Sequence, residues 1–304
     1  MPTSSVSPSL SIIHDDTLDP GFGVWPVMLT PFDDDLSIDW PTLDLLTDWY
    51  IQQGSAGLFA CCQSSETSHM TPQEKVRVAE AVIQRAAGRV PVVVGVLGQA
   101  DDDERIQAIR SYHALGAQAA IIIPNAFGDE RTAELTVVDR MKTLAAQCPE
   151  VPLGLYECPV PYKRLLSPDA VGELAATGRF IWMKECSADA DQIERKLKAS
   201  RGTPLRIYNA NTQLIVRAVQ LGCWGYTGLA ANFVPDECVA LCNAAHAGPL
   251  NSDDAARYDD LVVLNRDRVL VDYPRGAKAF IRQRGVPIKP VCRMNRAAPT
   301  YSKK

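Results

Sequence analysis

Residues 90–123 read VPVVVGVLGQADDDERIQAIRSYHALGAQAAIII, and this stretch contains the repeating unit that decides the fold. Residues 90–96 form a short apolar run, which is typical of a strand buried on both faces. Residues 101–115 then predict a helix that closes at Gly116, and residues 118–123 are the next apolar run. Strand, helix and strand in this order predict a β-α-β unit with two parallel strands.

The same unit recurs along the chain, with a period of about 30 residues. Apolar runs predict eight strands, at residues 24–29, 56–61, 90–96, 118–123, 151–156, 179–184, 204–208 and 223–229. A predicted helix follows each strand. Eight such units in about 230 residues predict an α/β fold, a closed (β/α)8 TIM barrel. A doubly wound sheet is the alternative, but residues 30–33, TPFD, follow the first strand where that fold has a glycine-rich phosphate loop.

Three segments are predicted along the chain. Residues 20–250 form the barrel, and residues 251–304 form a C-terminal helical extension and tail, because residues 253–285 have the pattern of two further helices. Residues 1–19 are rich in Ser, Pro and Asp and predict a flexible N-terminal arm. This arm lacks the basic start and the apolar core of a signal peptide.

Composition limits the classes of protein that need to be considered. The chain has 304 residues, of which 46% are hydrophobic and 22% are charged, as in ordinary globular proteins. The net charge is -5 and no basic block occurs, so nucleic acid is not an expected partner. No run of about 18 uncharged apolar residues occurs, so neither a transmembrane helix nor a membrane partner is expected.

Cysteine and histidine usage bears on the cellular compartment and on metal binding. Several of the nine cysteines lie inside apolar runs, which favours buried free thiols in a reducing compartment over a disulfide framework. Neither these cysteines nor the four histidines have the spacing of a zinc site. We therefore predict a cytoplasmic protein that binds no metal.

Lys184 is the most informative single residue, because it closes the apolar strand Phe180-Ile181-Trp182-Met183. Burying an ammonium without a partner is costly. Desolvation lowers the pKa of a lysine from about 10.4 and makes its amine a nucleophile that can form a Schiff base with a carbonyl substrate. The alternative is a strand-end lysine that extends to water. Active sites of TIM barrels lie at the C-terminal ends of the strands, which is where Lys184 lies.

Other candidate site residues follow or end the predicted strands at the same edge of the barrel. They are Thr30, Gln63, Ser64, Ser65, Tyr156 and Thr227. Tyr156 ends the strand directly before the lysine strand, so we expect its side chain and that of Lys184 to converge. The alternative for Tyr156 is a packing role at the rim.

Four motifs lie in an order and at a spacing that resemble a known family. They are residues 29–32, LTPF; residues 51–70 with Gly54 and Glu66; residues 155–159, LYECP; and residues 181–185, IWMKE. Together they resemble the T-P-F element, the second strand and loop, the Y-N-x-P motif and the lysine strand of the dihydrodipicolinate synthase / N-acetylneuraminate lyase family. The resemblance covers residues 22–285, nearly the whole chain.

The resemblance implies a class I lyase or aldolase that acts on 2-oxo acids through a Schiff base and needs no cofactor. Lys184 matches the lysine that condenses with the 2-oxo acid, and Tyr156 matches the tyrosine that relays protons. A phenol has an unperturbed pKa of about 10, so its neighbours must assist it as a general acid/base. The substrates implied are a pyruvate-like 2-oxo acid and an aldehyde, and the assembly implied is a homotetramer or homodimer.

The second-strand loop departs from the family pattern G-T/S-T-G-E, because here residues 62–66 read CQSSE. The resemblance implies that this loop, with Ser64 and Ser65, holds the substrate carboxylate through N–H groups and hydroxyls. Gln63 replaces a hydroxyl residue of the proton relay, and an amide does not pass a proton as a hydroxyl does. The alternative is a simple polar turn with Glu66 as a structural anchor.

Two further departures concern the second substrate. The fourth-strand loop, residues 124–128, has no tyrosine, and Pro161 stands where dihydrodipicolinate synthases have an arginine, although Tyr162 or Lys163 can be its substitute. These changes argue against a role in lysine biosynthesis. Residues 126, 127 and 158, which are Ala, Phe and Cys, argue against the polar wall of a sugar-acid lyase. Trp182 and Trp224 are expected in the core or the helix layer.

The leading hypothesis is therefore a lyase or aldolase that forms or cleaves a C–C bond beside a pyruvate-like 2-oxo acid. The nearest alternative is a Schiff-base dehydratase of a hydroxylated 2-oxo sugar acid. A non-catalytic barrel that binds a 2-oxo acid is a third possibility, favoured by the altered loop. A glycoside hydrolase requires two facing rim carboxylates, for which Glu66, Glu157 and Glu185 are the candidates.

Overall fold

The computed structural model of the chain describes residues 21–294, without the side chains of residues 268–270. Eight parallel strands form one sheet in the order β1-β8-β7-β6-β5-β4-β3-β2. They are β1 (Gly23–Val24), β2 (Leu58–Ala60), β3 (Val92–Gly95), β4 (Ala119–Ile122), β5 (Leu153–Tyr156), β6 (Phe180–Glu185), β7 (Arg206–Asn209) and β8 (Gly225–Tyr226). A parallel bridge from Val27 to Phe59 joins the two ends of the sheet. The predicted (β/α)8 barrel is thus confirmed.

Eight helices alternate with the strands and two more follow the barrel. They are α1 (Trp40–Gln52), α2 (Pro72–Ala86), α3 (Asp102–Ala114), α4 (Glu134–Gln147), α5 (Pro168–Ala176), α6 (Ala190–Ala199), α7 (Ile215–Leu221), α8 (Pro235–Ala247), α9 (Ser252–Leu264) and α10 (Arg275–Gln283). The predicted C-terminal helices are therefore present, as α9 and α10. The proposed boundary at residue 250 falls in the turn between α8 and α9. The predicted arm, residues 1–19, and the tail from residue 295 lie outside the described residues.

Helix α2 shows why its sequence starts a helix at that point. The Thr71 side chain accepts a hydrogen bond from the backbone N–H of Glu74, and the Glu74 carboxylate accepts one from the Thr71 N–H. This reciprocal pair forms a capping box. Pro72 occupies the first turn, where the missing N–H is not needed. The local sequence alone therefore predicts this helix start.

The first and last strands are shorter than the sequence predicts. Residues 24–29 were the expected first strand, but the regular ladder covers Gly23–Val24 only. Pro26 has no N–H to donate to a ladder, and the chain beyond it pairs with β2 through the single bridge at Val27. In β8 the ladder ends at Tyr226, and a short 3-10 helix, Leu229–Asn232, follows.

An aromatic cluster fills the part of the barrel interior that lies on the N-terminal side of Lys184. The rings of Trp182 and Tyr208 stack with centroids 5.3 Å apart, and Trp25 and Phe59 lie 5.9 Å and 5.2 Å from Trp182. Trp182 is fully buried, as expected of a core residue. Trp224 precedes β8, at the end of the barrel opposite Lys184. This aromatic cluster blocks the barrel interior on that side, so an active site has room only at the C-terminal rim.

Two absences apply to the part of the chain that the structure describes. Within residues 21–294 no helix is long and apolar enough to cross a membrane. In the same range no group of three or more His, Cys, Asp or Glu side chains is placed to hold a metal ion. All nine cysteines are free thiols, and seven of them are buried.

Candidate active site

Lys184 and Tyr156 meet at the C-terminal ends of β5 and β6. The parallel register pairs Tyr156 directly with Lys184, so both side chains point from neighbouring strands to the same face. The Lys184 Nζ lies 4.8 Å from the centroid of the Tyr156 ring. Each residue is only 4% exposed. The structure therefore brings together the two residues on which the sequence-based mechanism depends.

The Lys184 amine is buried without a charged partner. Within residues 21–294 no carboxylate lies within ion-pair distance of Nζ, and no hydrogen bond to Nζ is formed. Burial lowers the pKa of Lys184 below its usual range, because the interior disfavours the ammonium. A larger share of the amine is then neutral and nucleophilic. A lysine that extends to water, the alternative considered above, does not fit this burial.

Three cysteines surround this pair. Cys62, Cys158 and Cys186 lie close enough to Lys184 and Tyr156 for their charge states to affect the pKa of both. Burial raises the pKa of the Cys158 and Cys186 thiols, so both stay protonated at neutral pH. They are uncharged, polarisable walls of the site.

The site residues predicted from the sequence do not include these thiols, although one signal for them exists. Cys158 follows Tyr156 by two positions, and Cys186 follows Lys184 by two positions. Residues two apart along an extended chain share a face. This period fits Lys184 and Cys186, because Glu185 between them is still in β6. After Tyr156 the chain instead makes a tight turn, in which the Cys158 N–H donates to the Tyr156 carbonyl at 2.7 Å.

Tyr156 is buried among uncharged groups. Burial raises its pKa well above the usual range, and the nearby thiols raise it further. The phenol consequently stays protonated and acts first as a proton donor. The edge of the Tyr156 ring also contacts Phe59, with ring centroids 5.8 Å apart. This contact with the barrel interior holds the phenol in place.

The second-strand loop forms a 3-10 turn, Gln63–Ser65, that is bonded to the segment after β1. The Ser65 hydroxyl donates to the Met28 carbonyl at 2.7 Å and accepts from the Cys62 N–H at 3.1 Å. The Thr30 hydroxyl donates to the Ser65 carbonyl at 2.9 Å. The hydroxyls of Thr30 and Ser65 are thus engaged in shaping the loop.

The other predicted binding residues divide into two kinds. The Thr227 hydroxyl donates to the Trp25 carbonyl at 2.8 Å and is fully buried, so it holds the segment after β8 against the segment after β1. The side chains of Gln63 and Ser64 form no hydrogen bond with another residue in the range 21–294. Gln63 and Ser64 are therefore the members of the predicted set whose polar groups are available to a substrate.

Glu66 is an anchor and not a rim carboxylate. It is fully buried and forms an ion pair of 2.7 Å with Lys278 of α10. Its second oxygen accepts from the Met294 N–H at 2.9 Å. Glu66 has a left-handed backbone with φ of 61°, which these contacts hold in place. The structure agrees with the anchor alternative for this residue.

Glu157 and Glu185 are also committed to an ion-pair cluster. Both carboxylates bind the Lys196 Nζ of α6, at 2.6 Å and 2.8 Å, and all three side chains are buried. Glu157 also accepts from the Cys186 N–H at 2.8 Å. A glycoside hydrolase needs carboxylates that face a substrate across an open site. Neither these two nor Glu66 do so. Lys196 is not among the residues predicted from the sequence.

The segment after β5 is fastened to the loop after β4. The Asn125 amide lies within hydrogen-bond distance of the carbonyls of Cys158, Val160 and Tyr162, at 2.9, 3.0 and 2.6 Å. The Tyr162 hydroxyl donates to the Gly128 carbonyl. Of the two candidates to replace the family arginine, Tyr162 thus has its hydroxyl engaged, whereas Lys163 is exposed.

Comparison with known proteins gives the same assignment as the motifs. Residues 21–300 match the model of the dihydrodipicolinate synthetase family. The 4-hydroxy-tetrahydrodipicolinate synthase of Methanosphaerula palustris is 27% identical over 271 residues, which cover 88% of this chain and 91% of that protein. The enzyme of the same name from Shewanella sp. strain ANA-3 is 29% identical over 233 residues, 77% of each chain.

Solved structures share the fold. YagE, a prophage protein of the dihydrodipicolinic acid synthase family from E. coli K12, was solved in complex with pyruvate. It matches with a TM-score of 0.79 and 22% identity, over 89% of this chain and 91% of that chain. A structure described as the first monomeric dihydrodipicolinate synthase variant matches with a TM-score of 0.83 and 18% identity, over 95% of each chain. From the family match over residues 21–300, the chain belongs to the dihydrodipicolinate synthetase family and is an enzyme of its lyase/aldolase class.

Proposed function

We propose that this enzyme forms or cleaves a C–C bond beside a pyruvate-like 2-oxo acid through a Schiff base on Lys184. The observation that carries the proposal is the Lys184 amine, which is buried without a charged partner among the described residues and lies 4.8 Å from the centroid of the Tyr156 ring. A neutral amine in this position can attack a carbonyl carbon.

The chemistry follows from the imine. The Lys184 nitrogen attacks the carbonyl carbon of the 2-oxo acid, the carbonyl oxygen leaves as water, and an imine remains. The protonated imine draws electrons, so the adjacent carbon loses a proton and becomes an enamine. The enamine carbon then adds to the carbonyl carbon of an aldehyde, whose oxygen takes up a proton. Water hydrolyses the resulting imine and restores the amine.

Tyr156 is assigned the proton transfers, as the family resemblance implies. Its raised pKa keeps the phenol protonated, so it suits the step in which the aldehyde oxygen becomes a hydroxyl. In the reverse direction the phenolate must form in a buried site, where the protonated imine on Lys184 is the nearby positive charge that stabilises it. Tyr156 and Lys184 therefore act as a pair.

The 2-oxo acid carboxylate is assigned to the second-strand loop. Gln63 and Ser64 have polar side chains available there, and Thr30 and Ser65 hold the loop in shape. Pyruvate is the model substrate because YagE and the Acinetobacter baumannii dihydrodipicolinate synthase were both solved with pyruvate. The homotetramer or homodimer and the cytoplasmic location remain predictions from the sequence.

The first test is borohydride trapping of the imine with pyruvate, followed by intact mass and peptide mapping. We expect a pyruvyl-sized adduct on Lys184 that is absent from Lys184→Ala. The exposed lysine of the neighbouring helix provides a matched control, and Lys198→Ala should keep the adduct. If neither pyruvate nor longer 2-oxo acids give an adduct, a non-catalytic binding barrel becomes the better account. Loss of water from a hydroxylated 2-oxo acid without C–C cleavage would identify the dehydratase instead.

A further inference from the structure

The side chains that line the barrel interior around Lys184 and Tyr156 are almost all apolar or thiol groups. Side chains alternate between the inside and the outside of the barrel along each strand, so one set of inward residues lies directly on the C-terminal side of the aromatic cluster. Those that are buried in one cluster with Tyr156 at this level are Cys62, Leu97, Ile123 and Cys158, and Ala126, Cys186 and Leu229 pack against it. We refer to these residues together as the wall, and among them only Tyr156 carries a hydroxyl.

Apart from Gln63 and Ser64, most polar side chains near these residues form hydrogen bonds within the protein. The hydroxyls of Thr30, Ser65 and Thr227 donate to backbone carbonyls. The Asn125 amide holds the segment after β5, and the Asn209 amide donates to the Asn211 carbonyl at 2.7 Å. Most polar groups near the rim therefore shape loops, and the Oδ1 atoms of Asn125 and Asn211 are the exceptions, buried without a partner among the described residues.

The carboxylate end and the aldehyde end of the substrate meet different surroundings. Gln63 and Ser64 offer polar groups on the second-strand loop, to which the carboxylate is assigned. Cys158 and Cys186 lie two positions beyond Tyr156 and Lys184, just past the C-terminal ends of β5 and β6. The aldehyde carbon becomes bonded to the carbon next to the imine carbon, within reach of Tyr156. The chain that the aldehyde carries therefore contacts these thiols.

We propose that the aldehyde used or released by this enzyme carries an aliphatic or aromatic chain without hydroxyl groups. This inference rests on the proposed function, and it names the substrate class of the same site. A hydroxylated chain would lose hydrogen bonds to water, and the thiol and alkyl wall offers only weak replacements. An apolar chain is stabilised by burial against the same wall.

The reaction step itself needs no additional reagent. The enamine π electrons form the new C–C bond to the aldehyde carbon, and the aldehyde π electrons take the proton that Tyr156 donates. The nitrogen lone pair of Lys184 restores the imine, which water hydrolyses. Selectivity among aldehydes therefore arises from the wall and not from a different mechanism.

The test compares aldehydes of equal carbon number in the addition to pyruvate. Propanal and glyceraldehyde differ by two hydroxyls, and benzaldehyde extends the comparison to an aromatic chain. We expect kcat/KM for propanal and for benzaldehyde to exceed that for glyceraldehyde by roughly 100-fold. Equal values, or a preference for glyceraldehyde, would overturn the inference.

A pair of Cys→Ser variants assigns the selectivity to the wall. Cys158→Ser places a hydroxyl in the wall, and we expect it to shift the ratio towards glyceraldehyde by about tenfold. Cys242→Ser is the control, because this thiol is equally buried but packs in the helix layer, and it should leave the ratio unchanged. If Cys158→Ser does not fold, Cys186→Ser at the half-buried wall position replaces it. An unchanged ratio in a folded wall variant would contradict the assignment.

The borohydride adduct keeps this test separate from that of the proposed function. An adduct on Lys184 together with a preference for glyceraldehyde overturns the apolar substrate class and leaves the Schiff-base enzyme in place. An adduct without turnover of any aldehyde also overturns the substrate class. Absence of the adduct overturns the proposed function itself.

Discussion

At the scale of single residues, the site depends on one amine held where its charge is unfavourable. Lys184 is buried beside Tyr156 and three thiols, and burial lowers its pKa from the usual 10.5. Between this lowered pKa and 10.5 the unfolded chain binds more protons, so the contribution of Lys184 to stability rises with pH in that window. Below the lowered pKa the buried ammonium opposes folding. The same residue thus supplies reactivity at some cost in stability.

The pH dependence of imine formation follows from this pKa. The neutral amine exists above the pKa of Lys184, so the rate of adduct formation with pyruvate should rise with pH and level off clearly below 10.5. The measurement is the initial rate of trapping by cyanoborohydride across a pH series, followed by mass spectrometry. A rate that keeps rising up to about pH 10.5, as for an exposed lysine, would contradict the lowered pKa.

Replacing the Tyr156 hydroxyl should separate binding from turnover. In Tyr156→Phe the imine still forms because Lys184 is unchanged, but proton transfer to the aldehyde oxygen loses its donor. We expect the adduct to persist and kcat for aldol turnover to fall by roughly 10²–10⁴-fold. Normal turnover in Tyr156→Phe would show that another group, such as the Cys158 thiol, delivers the proton.

At the scale of elements, Lys196 fastens β5 and β6 in the register that the site needs. Glu157 follows Tyr156 and Glu185 follows Lys184, and helix α6 brings the Lys196 Nζ to both carboxylates. The pKa of Glu157 is raised, first by burial and then by repulsion from Glu185, against the opposing attraction of Lys196. Lys196 therefore binds the carboxylate that follows each of the two candidate catalytic residues, Tyr156 and Lys184.

Removal of this lysine should be strongly destabilising. Lys196→Met leaves two buried carboxylates without their cation, and we expect a loss of about 3–5 kcal/mol in the free energy of unfolding. Protonation relieves this repulsion, so the loss should be smaller at mildly acidic pH than at neutral pH. Urea denaturation at both pH values measures it. Lys198→Met, at an exposed position of the same helix, should change stability by less than about 0.5 kcal/mol.

At the scale of the whole molecule, the C-terminal extension supports the second-strand loop. Lys278 of α10 pairs with Glu66 across 212 positions of sequence and also donates to the Val291 carbonyl at 2.6 Å. Arg293 pairs with Glu74 at 2.7 Å and lowers the pKa of Glu74 to about 2. The segment after the barrel therefore fixes the turn that carries Gln63 and Ser64.

Breaking this link should weaken substrate binding as well as stability. Lys278→Met leaves Glu66 buried and unpaired, at a cost of about 3–5 kcal/mol, and loosens the adjacent loop. We expect KM for pyruvate to rise more than kcat falls, because Lys184 and Tyr156 are left in place. Arg282→Met, on the exposed face of the same helix, is the control. A fall in kcat with an unchanged KM would place the effect on the reacting groups and not on the loop.

Much of the fold and part of the site could be predicted from local sequence signals. The eight apolar runs, the cap at Thr71 and the lysine at the end of a strand are all properties of short segments. The ends of individual strands were less predictable, as at Pro26, because a ladder also needs a partner strand in the correct register. The engaged hydroxyls of Thr30 and Thr227 were not predictable either, since their acceptors lie elsewhere in the chain.

The amino-acid sequence by itself determined the barrel class, the family and the placement of Lys184 and Tyr156 at strand ends, because periodicity and order are written along the chain. Only the tertiary structure decided which side chains surround them. Closure of the sheet turns the thiols towards the amine, and the packing of α6 and α10 brings Lys196 and Lys278 to their carboxylates. The contacts of Lys196 and Lys278 depend on distances in space between segments far apart in sequence, and no local pattern encodes them.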